Sequence, residues 1–422
     1  MQKLSGKNLL LVGFTLFSMF FGAGNLIFPP HLGAQAGSHL WAAFAGLAVS
    51  AIGLPIAGVV AVARAGGLEP LARRVHPAFA FVFTILVYLS IGPCLAIPRT
   101  ASTSFAMLAP LVGSSPRLQL GYSFLFFAAA FLVALHPEKL TDRLGRILCP
   151  CLILLICILF AGCLLHPPAA HYGAPSDLYA SLPAVQGILY GYQTMDTLAG
   201  LNFGAVIALN IRARGIAQES AVEQGAVRAG FLAGALLLAV YAMLGHAGAL
   251  TGAAVPGLST GADVLTALAG NLFGQAGLVL IAAIFVIACF NTCVGLIACV
   301  GQYFHSLLPC IPYPVLAAFF AGVSMLVSNL GLAAIIGLST PVLNALYPIA
   351  IVLILLSYLP GLENRPRIYL LCIFLTALQS IAAALPLGPL SVLANALSFA
   401  EVGFGWMLPA AAGLLLGFLI DR

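Results

Sequence analysis

Residues 8 to 30 run without a single Lys, Arg, Asp or Glu, long enough to cross a bilayer as a helix. Yet Gly22-Ala23-Gly24-Asn25 stands in the middle of that run and Pro29-Pro30 at its end. Hydrocarbon offers no partner to a free N–H or C=O, so non-helical backbone at that depth survives only where protein buries it or it lines a polar cavity. The Gly22 to Asn25 stretch therefore reads either as a loop held for a ligand or as a kink packed through small residues against a neighbour. Two half-helices meeting at a break would aim N–H groups at an anion and free carbonyls at a cation, which suits an amino acid and its coupling ion.

Twelve runs lack Lys, Arg and Glu: 8–30, 40–63, 78–97, 118–135, 147–165, 182–209, 229–250, 275–304, 314–330, 334–359, 368–385 and 402–420. None alternates polar and apolar residues as a transmembrane strand would. With 62% hydrophobic and 6% charged residues, the chain is predicted to be an all-α polytopic membrane protein of 12 transmembrane helices. Placing the N-terminus inside puts fourteen of the sixteen Lys and Arg on one face, from Lys3 and Lys7 to Arg365, Arg367 and Arg422; Arg99 and Arg117 fall on the other. Both termini are thus expected in the cytoplasm, with the first apolar run retained as a span. The net charge of +5 is a topology signal, without a basic run dense enough for nucleic acid. The ten Cys lie in or beside apolar runs and read as small hydrophobes rather than disulfide or zinc ligands.

A second break lies in the sixth run, where Gly191-Tyr192-Gln193-Thr194-Met195-Asp196-Thr197 forms a polar island. Asp196 is the one formally charged residue within the twelve runs. An ionised Asp at a helix centre costs about 2.5–3.5 kcal/mol on insertion scales, so it implies a cation, a proton or a structural partner. It reads equally as an N-cap for the half-helix resuming at Thr197. Breaks in the first and sixth runs are the spacing expected of an inverted pair, about 8–165 and 182–359, inside a ten-helix core over 1–360. Residues 361–422 would then be two accessory helices. In the eighth run, Asn291-Thr292 sets two oxygen-bearing side chains side by side, suited to a hard cation or to interhelical hydrogen bonds. Arg99 reads as a snorkelling residue near the outer interface or as a contact for a substrate carboxylate. His31 and His39 have no evident partner, and His246 reads as a hydrogen-bonded packing residue.

Phe17 to Pro30 resembles the signature of the branched-chain amino acid:cation symporters, the LIVCS or BrnQ family, within the amino acid–polyamine–cation superfamily. So do Gly92-Pro93 with Ala96-Ile97-Pro98-Arg99-Thr100-Ala101, Gly191 to Leu198, and Thr340-Pro341-Val342-Leu343 with Tyr347-Pro348. The resemblance implies a LeuT-like 5+5 inverted repeat and sodium-coupled import of Leu, Ile and Val across a bacterial inner membrane; the alternatives are a symporter of the same fold for a different amino acid or one coupled to protons through Asp196, and more remotely a channel-type facilitator. It also implies that the substrate carboxylate meets the N–H groups of Ala23 and Gly24, with Gly22, Thr194 and Asp196 close by. One sodium would take the Asn25 side chain, the Phe20 carbonyl and Thr194. A second would take carbonyls of Ser18, Phe21 and Ala288 with the side chains of Asn291 and Thr292. Asn291 stands where a hydroxyl is more usual in the superfamily, and Ala106 where the family pattern has an acid. An aliphatic substrate needs an apolar pocket, for which Phe20, Phe21, Tyr192 and Met195 are the candidates. A channel would show a ring of charges or a filter repeat. An enzyme such as a metalloprotease would show His-Glu-x-x-His or paired acids. Neither pattern is present.

Overall fold

The computed structural model describes residues 4–420 except 364, 386 and 387; Lys3 and Arg422 of the charge pattern lie outside the described residues. Those residues are mainly helical, joined by turns and by two longer irregular segments at 166–176 and 396–406. The chain starts as α1 (Gly6–Phe20) and α2 (Ala23–Ala36), followed by α3 (Leu40–Ala48) and α4 (Leu54–Ala65). Next come α5 (Pro77–Leu89), α6 (Ala96–Val112), α7 (Pro116–Ala134) and α8 (Cys149–Leu165). The second half contains α9 (Pro183–Tyr192), α10 (Asp196–Arg212), α11 (Glu219–Ala254), α12 (Gly261–Leu307), α13 (Tyr313–Ser328) and α14 (Leu332–Tyr358). Helices α15 (Pro366–Ala384) and α16 (Met407–Ile420) pack on each other, and α15 also packs on α14.

Among the described residues, eight helical stretches are long and apolar enough to cross a membrane, or nine if the bent pair α9 and α10 counts as one. Three shorter apolar helices, α1, α13 and α16, accompany them. The count differs from the twelve apolar runs because backbone geometry divides the chain differently from charge. The first run splits into α1 and α2, and helical structure then continues from Ala23 to Ala65 through a tight turn at Gly37–His39. Large side chains such as Phe124, Leu125, Leu154, Phe319 and Phe374 face outward. That apolar rim is what a lipid environment accepts and water does not.

Three boundaries differ from the sequence reading. Pro29 and Pro30 lie inside α2 instead of ending it. There α2 packs against α11 so closely that a Cβ on Gly248 would sit 2.1 Å from the Pro30 carbonyl oxygen. The third apolar run does not stop near residue 97: the chain kinks at Ser90–Cys94, where Gly92 is non-helical, and resumes as α6, which runs to Val112. Residues 251–272, between the seventh and eighth apolar runs, are mostly helix. Thr260 and Asp263 form a capping box that starts α12 at Gly261, and the kink is displaced to Gly274. That cap also accounts for Gly257-Leu258-Ser259-Thr260-Gly261, which matches the Gly-x-Ser-x-Gly spacing of a hydrolase elbow. Here Ser259 Oγ donates to Asp263 at 2.9 Å within a helix cap, without the strand-to-helix turn that such an elbow requires.

Helix α9 is held by a crossing of small residues. A Cβ on Gly46 would lie 1.9 Å from the Ala184 carbonyl oxygen, and one on Gly187 1.9 Å from that of Ala43. Glycine at both positions lets α3 and α9 touch backbone to backbone. This fixes the end of α9 that points into the bundle.

Candidate functional site

Helix α1 ends at Phe20, and the Phe21 N–H closes its last turn by donating to the Phe17 carbonyl at 2.7 Å. Gly22 then takes an extended conformation as the N-cap of α2, and Asn25 folds back so that its Oδ1 accepts from the Gly22 N–H at 3.1 Å. The break is therefore Phe21-Gly22, shorter than the Gly22 to Asn25 loop read from sequence, and Ala23, Gly24 and Asn25 form the first turn of α2. The N–H groups of such a turn have no partner within the helix, nor do the last carbonyls of α1, among them Ser18 and Phe20. Gly22 has no room for a side chain, since a Cβ there would fall 2.4 Å from Thr292 Oγ1.

Helix α9 stops at Tyr192 and α10 starts at Asp196, with a bend of 48° between them. The intervening turn is tight: the Thr194 N–H donates to the Gly191 carbonyl and the Met195 N–H to that of Tyr192. Met195 has φ of 67°, a left-handed conformation costly for a residue with a side chain, and it persists because the buried surroundings hold it.

Between the two breaks stands a polar network. Asn25 Nδ2 donates to Asp196 Oδ2 at 2.5 Å, and the Tyr241 hydroxyl of α11 donates to the same oxygen at 3.1 Å; Asn25 Nδ2 also bonds the Tyr241 oxygen. Asp196 is thus not a cap for its own helix. Its N–H meets Thr194 Oγ1, while its carboxylate ties α10 to α2 and α11. Neutral donors alone hold that carboxylate, and Arg99 is the charge that acts on it.

Arg99 corrects the sequence reading most. It does not snorkel: it is 5% exposed, and its guanidinium donates from Nη1 to the Gln193 carbonyl at 2.9 Å and from Nη2 to the Thr194 carbonyl at 3.2 Å. The guanidinium carbon lies 5.9 Å from the centre of the Phe28 ring. The cost of burying a charge is offset here by carbonyls that the broken helix leaves free. The sequence signal was the proline- and hydroxyl-rich stretch around Arg99, unusual for a packing helix.

A cavity of about 20 Å³ lies at the centre, room for about one water. Phe20, Gly22, Ala23, Gly24, Asn25, Thr194, Met195, Asp196 and Thr292 line it, all of them site candidates from sequence. Sequence reasoning missed Met19, Thr100, Ala199 and Phe203 on the same wall, and Arg99 is there too. Phe203 meets Phe20 edge to face at 5.0 Å. Two expected pocket residues point elsewhere. The Phe21 ring stacks on Phe17 and leans on Tyr241, and Tyr192 packs on Tyr347 in a different cavity beside α14 and α15.

Ser18, Ala288 and Asn291 do not line the central cavity. Ser18 Oγ faces the Cys149 thiol of α8. Ala288 is inside α12, where a carbonyl belongs to the helical ladder. Asn291 is fully buried, and neither its amide atoms nor Thr292 Oγ1 has a hydrogen-bond partner. Buried polar atoms without partners cost about 1–3 kcal/mol each, so this pair fits an oxygen-seeking ion. The histidines resolve more simply: His31 meets the Tyr190 hydroxyl at 2.5 Å, His39 the Tyr179 carbonyl at 2.9 Å and His246 the Tyr172 hydroxyl at 2.7 Å.

Apolar helices broken around a buried polar centre suit a membrane transporter, and solved structures of like shape include transporters. Mhp1, a nucleobase-cation-symport-1 family transporter, aligns over 98% of this chain and 92% of its own with a TM-score of 0.63 at 14% identity. MhsT in complex with L-phenylalanine aligns over 99% of both chains at a TM-score of 0.59 and 16% identity. At such identities the likeness is one of fold. Residues 5–422 match the family model described as branched-chain amino acid transport protein, and the chain belongs to that family. The branched-chain amino acid transport system 2 carrier protein of Pseudomonas aeruginosa is 40% identical over all of this chain and 98% of its own. Permease BraB of Bacillus subtilis is 38% identical over 98% of this chain and 95% of its own. Permease BrnQ of Escherichia coli K12 is 35% identical over 100% of this chain and 97% of its own. The family consists of transporters, not enzymes.

Proposed function

We propose that this chain is a sodium-coupled symporter that carries leucine, isoleucine and valine into a bacterial cell across the inner membrane by alternating access. The observation that carries the reading is the meeting of two broken helices around one buried cavity, with a positive helix end and Arg99 on the same space. Free N–H groups at Ala23 and Gly24 and the Arg99 guanidinium favour a carboxylate. Phe20, Met195 and Phe203 supply an apolar wall for an aliphatic side chain. One methylene in such a wall is worth about 1–3 kcal/mol, so the three substrates compete. Asn291 and Thr292, both poor in partners, receive sodium beside the first break. We assign twelve crossings with both termini cytoplasmic, a core of 1–360 built from inverted repeats 8–165 and 182–359, and accessory helices over 361–422. The cavity holds a water and not a leucine, so α1, α2, α9 and α10 must part from the surrounding helices to admit substrate, as alternating access requires.

Proton coupling is the second reading, favoured by one observation: Asp196 is buried and held by the neutral donors Asn25 and Tyr241. The deciding experiment is uptake of labelled leucine into proteoliposomes with sodium and pH gradients imposed separately. Accumulation driven by sodium at fixed pH supports the reading. Accumulation driven by protons alone and lost in Asp196→Asn overturns sodium as the coupling ion. No uptake under either gradient, or valine uptake untouched by saturating leucine, overturns the substrate assignment.

A further inference from the structure

The resemblance to the wider superfamily implies two sodium sites, and the geometry treats them unequally. At the first, the side-chain oxygens offered to the ion are already engaged, and the Phe20 carbonyl alone is left open. Asn25 Oδ1 accepts the Gly22 N–H, and Asn25 Nδ2 turns its donor side to Asp196. Thr194 Oγ1 donates to the Gly191 carbonyl at 2.8 Å and accepts the Asp196 N–H. The carbonyls at the free end of α9, the natural cation-binding end of a broken helix, both receive Arg99. Gly24 makes space for it, since a Cβ there would lie 2.9 Å from Nη2. At the second site Asn291 is fully buried and Thr292 is half-buried with its hydroxyl oxygen shielded, and their polar atoms are unmatched.

We propose that Arg99 takes the place of the first coupling cation: its guanidinium is a tethered positive charge on the Gln193 and Thr194 carbonyls, and sodium enters only beside Asn291 and Thr292. This rests on the symporter reading above and goes beyond it by assigning the number of ion sites. An arginine side chain stays charged at any physiological pH and cannot dissociate. The carbonyl end of α9 therefore keeps its counter-charge through the whole cycle, where a diffusible ion would leave with each turnover. The Arg99 Nε N–H has no partner and is buried, so it is left for the carboxylate of an incoming amino acid. Arg99 acts as a substrate contact and as the fixed member of the ion pair of sites.

The test is binding of radioactive sodium to the purified chain, counted per molecule, with leucine uptake measured on the same preparations. Wild type is expected to bind one sodium. Arg99→Gln removes the charge while keeping a polar side chain, and is expected to bind one sodium more than wild type and to raise the KM for leucine at least tenfold. Arg99→Lys keeps the charge and is expected to gain none. Two sodium ions on wild type, or an Arg99→Gln chain that binds no more than wild type, overturns the proposal. A wild type that binds none beside an Arg99→Gln chain that binds one keeps the role of Arg99 and withdraws sodium as the coupling ion, so the two failures are distinguishable. If Arg99→Gln does not fold, Asn291→Ala decides with Arg99 intact: sodium affinity at least tenfold weaker supports the assignment, and unchanged affinity overturns it.

Discussion

Asn25→Ala removes the side chain that holds both breaks at once. Its Oδ1 satisfies the Gly22 N–H, and its Nδ2 is one of two side-chain donors to Asp196. A buried donor left without a partner costs about 1–3 kcal/mol, and a carboxylate that loses a donor in a dry site costs at least as much. The sum is about 2–6 kcal/mol, large against the 5–15 kcal/mol that typically separates folded from unfolded chains. Asn25→Asp restores the acceptor for Gly22 but sets a second carboxylate against Asp196, so it is expected to be no better. Six cysteines are buried, among them Cys289 and Cys293 beside Arg99 and Thr100, so a thiol-reactive dye reports unfolding above the constant signal of the exposed Cys94, Cys151, Cys157 and Cys310. The expected outcome is an earlier melt for both variants, with leucine uptake lost in Asn25→Ala at temperatures where the chain is still folded. An Asn25→Ala chain that melts with wild type and transports with wild-type KM would refute the claim that this side chain couples the two breaks.

Two further substitutions probe the cavity walls. Gly22→Ala drives a methyl toward Thr292 Oγ1 and should cost about 1–3 kcal/mol, with uptake reduced; pairing it with Thr292→Gly should return part of that loss, and a double variant no better than the single would place the strain elsewhere. Phe203→Ala removes the ring that faces Phe20, which should lower the melting temperature and let phenylalanine compete with leucine uptake; unchanged competition would remove Phe203 from the substrate wall.

Much of the site was legible because membrane chemistry penalises exceptions. A glycine pair in an uncharged run and an Asp in another mark backbone and charge that hydrocarbon does not tolerate without a purpose, and the residues around them do meet in one cavity. Arg99 was harder. Its run appeared to end at residue 97, and a charge just beyond an apolar run reads as an interface anchor. Only the kink at Ser90–Cys94, non-helical at Gly92, from which a new helix starts at Ala96, brings that charge to the carbonyls of Gln193 and Thr194. Phe203 and Tyr241 gave no signal either, since an aromatic residue on an apolar helix looks the same whether it faces lipid, a neighbour or a ligand.

By itself the sequence determined that the chain is helical and apolar enough for a membrane, and that the polar residues of two apolar runs sit beside helix breakers. Those follow from local rules: hydrocarbon accepts few charges, and a broken helix exposes its own backbone. The tertiary structure alone decided which residues answer that backbone. Asn25 reaches Asp196 across 171 positions of sequence and Arg99 reaches Thr194 across 95, distances over which no local pattern specifies a partner. Helix crossings as close as that of Gly46 and Gly187 set those pairings, because small residues fix how near two backbones approach and hence which side chains meet beyond them.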